Sequence, residues 1–137
     1  MAQDNVELVR TWLASFDSDA DAFRDTIHPE IEWFPFEDNH TPSYGIGGAM
    51  RIRNGWLDAW DEMTADLEQV YEADDSVVAT VHITGRGKRS QVEVDVRLHL
   101  HFRVRDEKII YVFEHTDQAE ALAAAGLSDQ AARADAS

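Results

Sequence analysis

The feature that most constrains the fold is a run of thirteen residues, 92–104, in which apolar and polar side chains alternate. Every even-numbered position in the run is Val, Leu or Phe, and every odd-numbered position in between is charged or histidine. Such a period of two is typical of a β-strand with one buried face, and a slip of one residue would bury six polar groups. The chain must therefore form a sheet whose apolar face meets a core and whose polar face meets water or another subunit.

Helices are predicted at both ends of the chain. Three of them follow an acidic or hydroxyl residue that has a carboxylate three positions later, which is the sequence pattern of a capped helix start. These patterns begin a helix at Asp4, a short helix at Ser18 that runs through Ile27, and a last helix over residues 119–125. Helical periodicity predicts one more helix over residues 49–63.

Five strands are predicted, at residues 31–36, 65–73, 77–85, 91–104 and 108–116. Short segments rich in Asp, Gly or Arg separate the last four strands, as expected for an antiparallel meander. Helices followed by a meander predict an α+β fold with the helices packed on one face of a curved sheet. We expect a single domain over residues 1–127 and a frayed tail over residues 128–137.

Composition narrows the range of partners. The chain carries 27 acidic and 12 basic residues, a formal net charge of −15, which disfavours nucleic acid and anionic membrane surfaces as partners. It contains no cysteine, so disulfides, thiol nucleophiles and thiolate metal sites are excluded. The N-terminus lacks the pattern of a signal peptide, and no apolar run is long enough to span a bilayer, so a cytoplasmic location is expected.

Several segments together resemble a known family, namely residues 6–12, 21–23, 28–33, 92–97, 104–109 and 117–127. With this order of elements, the chain resembles the SnoaL-like proteins of the nuclear transport factor 2-like superfamily, to which ketosteroid isomerase and limonene-epoxide hydrolase also belong. The resemblance implies a cone-shaped α+β barrel in which a curved, mostly antiparallel sheet wraps around N-terminal helices. It also implies a central hydrophobic pocket. Enzymes and non-catalytic binders share this fold, so the fold alone does not decide the function.

Glu114 is the candidate catalytic residue. The resemblance places it at the position of the acidic general base of SnoaL-type cyclases, and a carboxylate in an apolar pocket is suited to proton abstraction. The implied reaction is removal of a proton next to a carbonyl, as in cyclisation or isomerisation, without a metal or an organic cofactor. The alternative is a glutamate that hydrogen-bonds a neighbouring group or faces solvent at the pocket rim.

Partner residues that related enzymes require are missing at the matching positions. The catalytic groups of ketosteroid isomerase correspond here to Phe34, Thr11 and Leu100, and the arginine and first carboxylate of the epoxide hydrolases correspond to Val81 and Ile83. Three functions therefore stay open: a cyclase- or isomerase-type enzyme, a non-catalytic ligand-binding or dimeric interaction module, and an epoxide hydrolase-like enzyme.

The aromatic and aliphatic residues are expected first in the core, and a subset of them around the pocket that the resemblance implies would bind a small hydrophobic molecule. The candidate lining residues are Trp12, Phe16, Phe34, Tyr44, Met50, Trp56, Trp60, Leu98, Leu100, Phe102 and Val112.

The polar face of the longest strand is predicted to form a homodimer interface. The residues assigned to it are Glu93, Asp95, Arg97, His99 and His101. Histidines that share this face could instead bind zinc or nickel, but a wet polar interface is the favoured interpretation, and no metal site is predicted. Imidazoles at such an interface would make dimerisation sensitive to pH near ~6.5.

Overall fold

The elements of the fold come from a computed structural model that describes residues 4–36, 38, 40–127 and 133–134. The helices are α1 (Asn5–Ser15), α2 (Ala20–Asp25), α3 (Gly45–Ala59) and α4 (Gln118–Ala124). The strands are β1 (Ile27–Phe34), β2 (Ser43–Tyr44), β3 (Trp60–Ala73), β4 (Ser76–Gly87), β5 (Glu93–Arg105), β6 (Lys108–His115) and β7 (Arg133–Ala134). The α+β class is therefore confirmed. No helix in the described part of the chain is long and apolar enough to cross a membrane.

One sheet in the order β2-β1-β6-β5-β4-β3-β7 contains all the described strands. Neighbouring strands are antiparallel except β1 and β6, which are parallel. The sheet curves around the N-terminal helices, as predicted, but it is not closed into a barrel. Of the predicted tail, Arg133 and Ala134 pair with Tyr71 and Val70 at the edge of β3, and the rest lies outside the described residues.

The alternation in the longest strand fixes the position of the core. In β5 the side chains of Leu98, Leu100 and Phe102 are buried against the N-terminal helices, and Glu93 and Arg97 on the other face are exposed. The facing strand β4 continues the same inner face, because its apolar residues pair directly with those of β5. The predicted register is therefore confirmed.

Helix starts and ends follow the predicted caps with one exception. Asp4 caps α1 by accepting the backbone N–H of Val6, and Asp117 caps α4 by accepting that of Glu120. The cap of α2 is Asp19 rather than Ser18. The predicted extension of this helix through residue 27 is wrong, since that residue begins β1 and pairs with β6.

The boundary between α3 and β3 also differs from the prediction of a helix over residues 49–63. The helix begins earlier, at Gly45, whose φ of +76° favours glycine. It ends earlier because Trp60 and Glu62 pair with β4. A Cβ atom at Gly85 would lie only 2.6 Å from the Trp60 ring and would overlap the Glu62 backbone oxygen, so this close pairing requires glycine. Strand pairing outweighs the helical pattern of the segment.

The last helix lies on the outer face of the sheet, so the prediction that all helices share one face is wrong. There α4 packs against β4, β5 and β6 and forms a second apolar cluster. The cluster comprises Tyr71, Val78, Ala121, Leu122 and Leu127. His101, on the same face, is fully buried, with Nε2 3.3 Å from the Ser76 hydroxyl and the ring against Tyr111. His101 is thereby removed from the predicted dimer surface, because a single chain already buries it.

We expect this buried histidine to make the fold sensitive to acid. Burial lowers the pKa of His101 to about 4, whereas an unfolded histidine titrates near ~6.5. Between these values the unfolded chain binds more protons, so stability is greatest above about pH 6.5 and falls as the pH falls toward 4. A loss of about 1 to 2 kcal/mol from pH 7 to pH 5 is expected in urea unfolding.

The matched variants for this measurement are His101→Gln and His40→Gln. Glutamine cannot take up a proton, so His101→Gln should flatten the dependence of unfolding free energy on pH in this range. His40 is exposed, so His40→Gln should leave the dependence unchanged. Equal slopes for both variants would show that His101 does not control the acid response.

Candidate functional site

An apolar cavity lies between α1, α3 and the inner face of the sheet. Its volume is about 50 Å³. The lining residues are Trp12, Leu13, Phe16, Trp33, Trp56, Met63, Ala65, Val81, Ile83, Leu98, Leu100 and Glu114. Among these, Glu114 is the single carboxylate, so a ligand would meet apolar surface on nearly every side and one acidic group.

Glu114 points inward and is 3% exposed. Strand β6 places it on the inner face, directly opposite Leu100 of β5. Two hydrogen-bond donors reach the carboxylate, one from β1 and one from the segment that follows β1. The indole Nε1–H of Trp33 donates to Oε2 at 2.5 Å, and the backbone N–H of Phe36 donates to Oε1 at 3.0 Å. The carboxylate is therefore fixed in the cavity wall and does not lie at the rim of the pocket.

The parallel pairing of β1 with β6 produces this arrangement. Trp33 is the register partner of Val112, two residues before Glu114, and it shares the inner face with that residue. Donors to both oxygens fix the orientation of the carboxylate. In its ionised form, such an oriented carboxylate among apolar side chains can accept a proton from a ligand.

Trp12 lies at the centre of an aromatic cluster next to the cavity. Its ring centroid is 5.3 Å from that of Trp33, and the centroids of Phe16, Phe23 and Phe102 lie within 5.6 Å. The Trp12 Nε1–H is buried and has no hydrogen-bond partner in the described ranges. The cluster fixes the indole rings that form one side of the cavity.

Five of the predicted pocket residues meet at the cavity, and they are Trp12, Phe16, Trp56, Leu98 and Leu100. Two more, Phe102 and Val112, are on the inner face but are fully buried in the core, where no ligand surface remains. Met50 is likewise a core residue of α3.

The remaining three predicted pocket residues lie elsewhere. Phe34 points to the outer face of the sheet, where its ring stacks on Phe113, because strand parity places it opposite to Trp33. Tyr44 is 62% exposed at the start of α3. Trp60 stacks on Trp56 on the side away from the cavity.

Sequence reasoning missed six cavity residues, which are Leu13, Trp33, Met63, Ala65, Val81 and Ile83. Strand parity carried the signal for two of them, since Val81 and Ile83 share the inner face of β4 with the core. Trp33 required knowledge that β1 lies beside β6, and no local pattern indicates that pairing.

A larger groove lies on the other side of Trp56. Its volume is about 270 Å³, and it opens to solvent between α3 and the start of β3. The groove residues are Pro35, Phe36, Arg51, Ile52, Gly55, Trp56, Ala59 and Trp60. Of the residues that line the two spaces, Trp56 is common to both.

Within the described ranges, no group of three or more histidine or acidic side chains has the geometry to hold a metal ion. Two outer-face histidines bind neighbouring side chains: His82 pairs with Asp95 at 2.7 Å, and His99 Nδ1 lies 2.9 Å from the Thr80 hydroxyl. Burial lowers the pKa of His99 and His115.

The sequence from residue 9 to residue 112 matches the family model of the SnoaL-like domain. The chain belongs to the SnoaL-like domain family. The resemblance found in the sequence is thereby confirmed. No curated protein matches the chain at a significant level.

Solved structures agree on the fold of this SnoaL-like domain. A protein described as a SnoaL-like polyketide cyclase from a Jannaschia species is 22% identical, with 93% of this chain and 92% of that chain covered and a TM-score of 0.75. A Catenulispora acidiphila protein with a ketosteroid isomerase-like fold, in complex with trimethylamine, is 17% identical, with coverages of 88% and 93% and a TM-score of 0.72. A protein described as a polyketide cyclase from Sinorhizobium meliloti is 17% identical, with coverages of 82% and 100% and a TM-score of 0.68. Family and fold support a ligand-binding or cyclase-type domain.

Proposed function

We propose that this SnoaL-like domain binds a small, largely apolar carbonyl compound in the inner cavity and that Glu114 removes a proton from the carbon next to the carbonyl. The observation that carries the proposal is the buried Glu114 carboxylate, held by the N–H groups of Trp33 and Phe36 in an otherwise apolar wall. Such a carboxylate combines the two needs of a general base, a fixed position and little competing water.

The proposed step moves one proton and one electron pair. The C–H bond next to the carbonyl breaks, its proton goes to a carboxylate oxygen of Glu114, and the electron pair forms the C=C bond of an enolate. If the proton on Glu114 is first replaced by one from solvent, its delivery to the same carbon gives exchange. Delivery to another carbon of the conjugated system gives isomerisation. If the enolate expels an oxygen by breaking its C–O bond, delivery of the proton to that oxygen gives elimination. All require the same base and no cofactor.

The size of the cavity limits the ligand. A volume of about 50 Å³ is far below the ~300 to 1,000 Å³ of typical pockets for drug-sized ligands. A molecule with a single small ring is therefore the best match to the inner cavity, provided that the surrounding side chains adjust. We infer that a larger substrate needs Trp56 to move, because Trp56 lines both this cavity and the 270 Å³ outer groove.

A Trp56→Ala variant should therefore change the size preference. We expect the variant to bind a two-ring ketone such as 1-tetralone roughly tenfold more tightly than the natural chain does, because the joined spaces bury the second ring. Affinity for cyclohexanone should change little. Trp60→Ala is the matched control, because it removes a groove ring but leaves Trp56 in place. Calorimetry that shows equal gains for both variants would contradict the role of Trp56.

A non-catalytic ligand-binding module is the second candidate, and the nearly uniform apolar wall favours it. The same wall disfavours an epoxide hydrolase, because Val81 and Ile83 line the cavity where the resemblance puts the partner arginine and carboxylate. Such a hydrolase holds its water between two carboxylates, and the cavity wall provides one.

The test of the proposal is deuterium exchange into cyclohexanone in D₂O, followed by proton NMR. We expect loss of the signal next to the carbonyl to be faster with the protein than in buffer and to saturate with ketone concentration. Binding without accelerated exchange would favour the non-catalytic module. An absence of binding would contradict both functions.

We also propose that two copies pair through the outer sheet face, with Glu93, Asp95, Arg97 and the partly buried His99. Support comes from half-exposed rings on this face, where Phe34 stacks against Phe113 at 5.2 Å and packs on Tyr111 at 5.6 Å. A patch of rings on a charged face is typical of an interface.

Dimerisation of this kind should respond to pH. Protonation of His99 would offset part of the negative charge that two copies bring together. Because burial lowers the pKa of His99, we expect the dimer to tighten only as the pH falls below the usual range of histidine, so that it is tighter at pH 5 than at pH 8. Sedimentation velocity at the two pH values measures this directly. The same oligomer at both values would contradict the pH-sensitive interface.

A further inference from the structure

The indole nitrogen of Trp12 has no part in the proton transfer proposed for Glu114. The residue is 3% exposed and its indole forms part of the cavity wall. The Nε1–H is buried and has no acceptor among the residues that the structure describes. Buried N–H groups in native proteins almost always have a partner, so an exception beside a cavity calls for an explanation.

Four aromatic rings pack against this indole. Phe16, Phe23 and Phe102 contact it, and these side chains provide no hydrogen-bond acceptor. The neighbouring indole, that of Trp33, packs at 5.3 Å and uses its own N–H for Glu114. The two adjacent tryptophans therefore differ: the Trp33 N–H is paired with the Glu114 carboxylate, and the Trp12 N–H has no partner in the described residues.

We propose that the acceptor for the Trp12 Nε1–H is the carbonyl oxygen of the bound ligand. The inference rests on the proposed function, because it requires a ligand in the inner cavity. It deepens that function by naming the ligand class: a neutral, otherwise apolar ring whose carbonyl oxygen lies against Trp12 and whose adjacent C–H group faces Glu114.

In this arrangement Trp12 is a catalytic residue. When Glu114 takes the proton from carbon, the electron pair of the broken C–H bond forms the new C=C bond and negative charge develops on the carbonyl oxygen. A donor already at that oxygen stabilises the charge where it appears, and an apolar site strengthens the interaction. The proton then returns from the Glu114 carboxyl group to carbon, so no other reactant is needed.

The proposed hydrogen bond should make the chain bind a ketone more tightly than a hydrocarbon of the same shape. Cyclohexanone and methylenecyclohexane differ by an oxygen in place of a CH₂ group, so only the ketone can accept from Trp12. A Trp12→Phe variant keeps an aromatic ring and removes the donor. We expect the variant to lose about tenfold in affinity for cyclohexanone and to bind methylenecyclohexane as the natural chain does.

Trp56→Phe is the matched control, because it makes the same change at another tryptophan of the cavity wall. It should leave the preference for the ketone unchanged. Equal losses of affinity for both ligands in Trp12→Phe would show that Trp12 only packs, and would overturn the inference. If the natural chain binds neither ligand, the proposed function fails first.

A second measurement needs no variant at position 12 to be folded. In the natural chain labelled with ¹⁵N-tryptophan, the indole proton of Trp12 should move downfield when cyclohexanone is added and stay in place with methylenecyclohexane. The Trp12 signal can be assigned in the natural chain from its nuclear Overhauser contacts with the rings of Phe16 and Phe102. A Trp12 signal that responds equally to both ligands contradicts a hydrogen bond to the carbonyl.

Discussion

Replacement of Glu114 by glutamine is expected to slow deuterium exchange into cyclohexanone by about 100- to 10,000-fold. Glutamine has nearly the same shape and keeps one oxygen that can accept from Trp33, although its NH₂ group cannot accept from Phe36. Its amide cannot take up the proton that leaves the carbon. The variant should therefore bind the ketone with an affinity close to that of the natural chain, while the rate next to the carbonyl falls to that in buffer. NMR exchange and calorimetry together separate these effects.

The control for this variant is Glu30→Gln. Glu30 is exposed on β1, so Glu30→Gln changes the net charge of the protein by the same amount without altering the cavity. Its exchange rate should equal that of the natural chain. If Glu114→Gln exchanges the ketone as fast as Glu30→Gln, then another group is the base and the proposed role of Glu114 is wrong.

Phe102→Ala is expected to cause the largest loss of stability, about 3 to 5 kcal/mol in free energy of unfolding. The ring is fully buried on the inner face of β5 and packs edge-on against Trp12 at 5.1 Å. Its removal leaves a void beneath the cavity wall, and the surrounding strands cannot close around it. Urea unfolding monitored by circular dichroism measures the loss.

A Phe16→Ala variant distinguishes the role of the cavity wall from that of the packed core. Phe16 is only partly buried and lines the cavity, so its truncation should cost clearly less stability than Phe102→Ala but should weaken ligand binding. An equal loss of stability for the two variants would contradict the division between a packed core and a ligand-lined wall.

The parts of the fold that local patterns determine could be predicted from the sequence. The alternation in β5 gives its register, because a slip would bury charged side chains, and Asp4 and Asp117 mark helix starts by a local hydrogen bond. The boundary at Trp60 could not be predicted, because it depends on pairing with Gly87 and on the close approach of the Trp60 ring to Gly85, both far along the chain. Likewise, α4 is amphipathic, and its sequence does not indicate which sheet face it covers.

The candidate site could likewise be predicted from the sequence only in part. Glu114 was indicated by family resemblance, but both faces of β6 are largely apolar, so only the three-dimensional structure shows that the carboxylate faces inward. The Trp33 donor depends on parallel pairing between β1 and β6, which joins residues about eighty positions apart. The position of Trp56 at both the cavity and the groove is a matter of side-chain packing, for which the sequence has no periodic signal.

The most direct test of a ligand site at Glu114 is a crystal structure of the chain with bound cyclohexanone. We expect the ring in the inner cavity, the carbon next to the carbonyl at about 3 to 3.5 Å from a Glu114 oxygen, and the carbonyl oxygen against Trp12. A ketone bound only in the outer groove beyond Trp56, with the inner cavity free of it, would contradict the account.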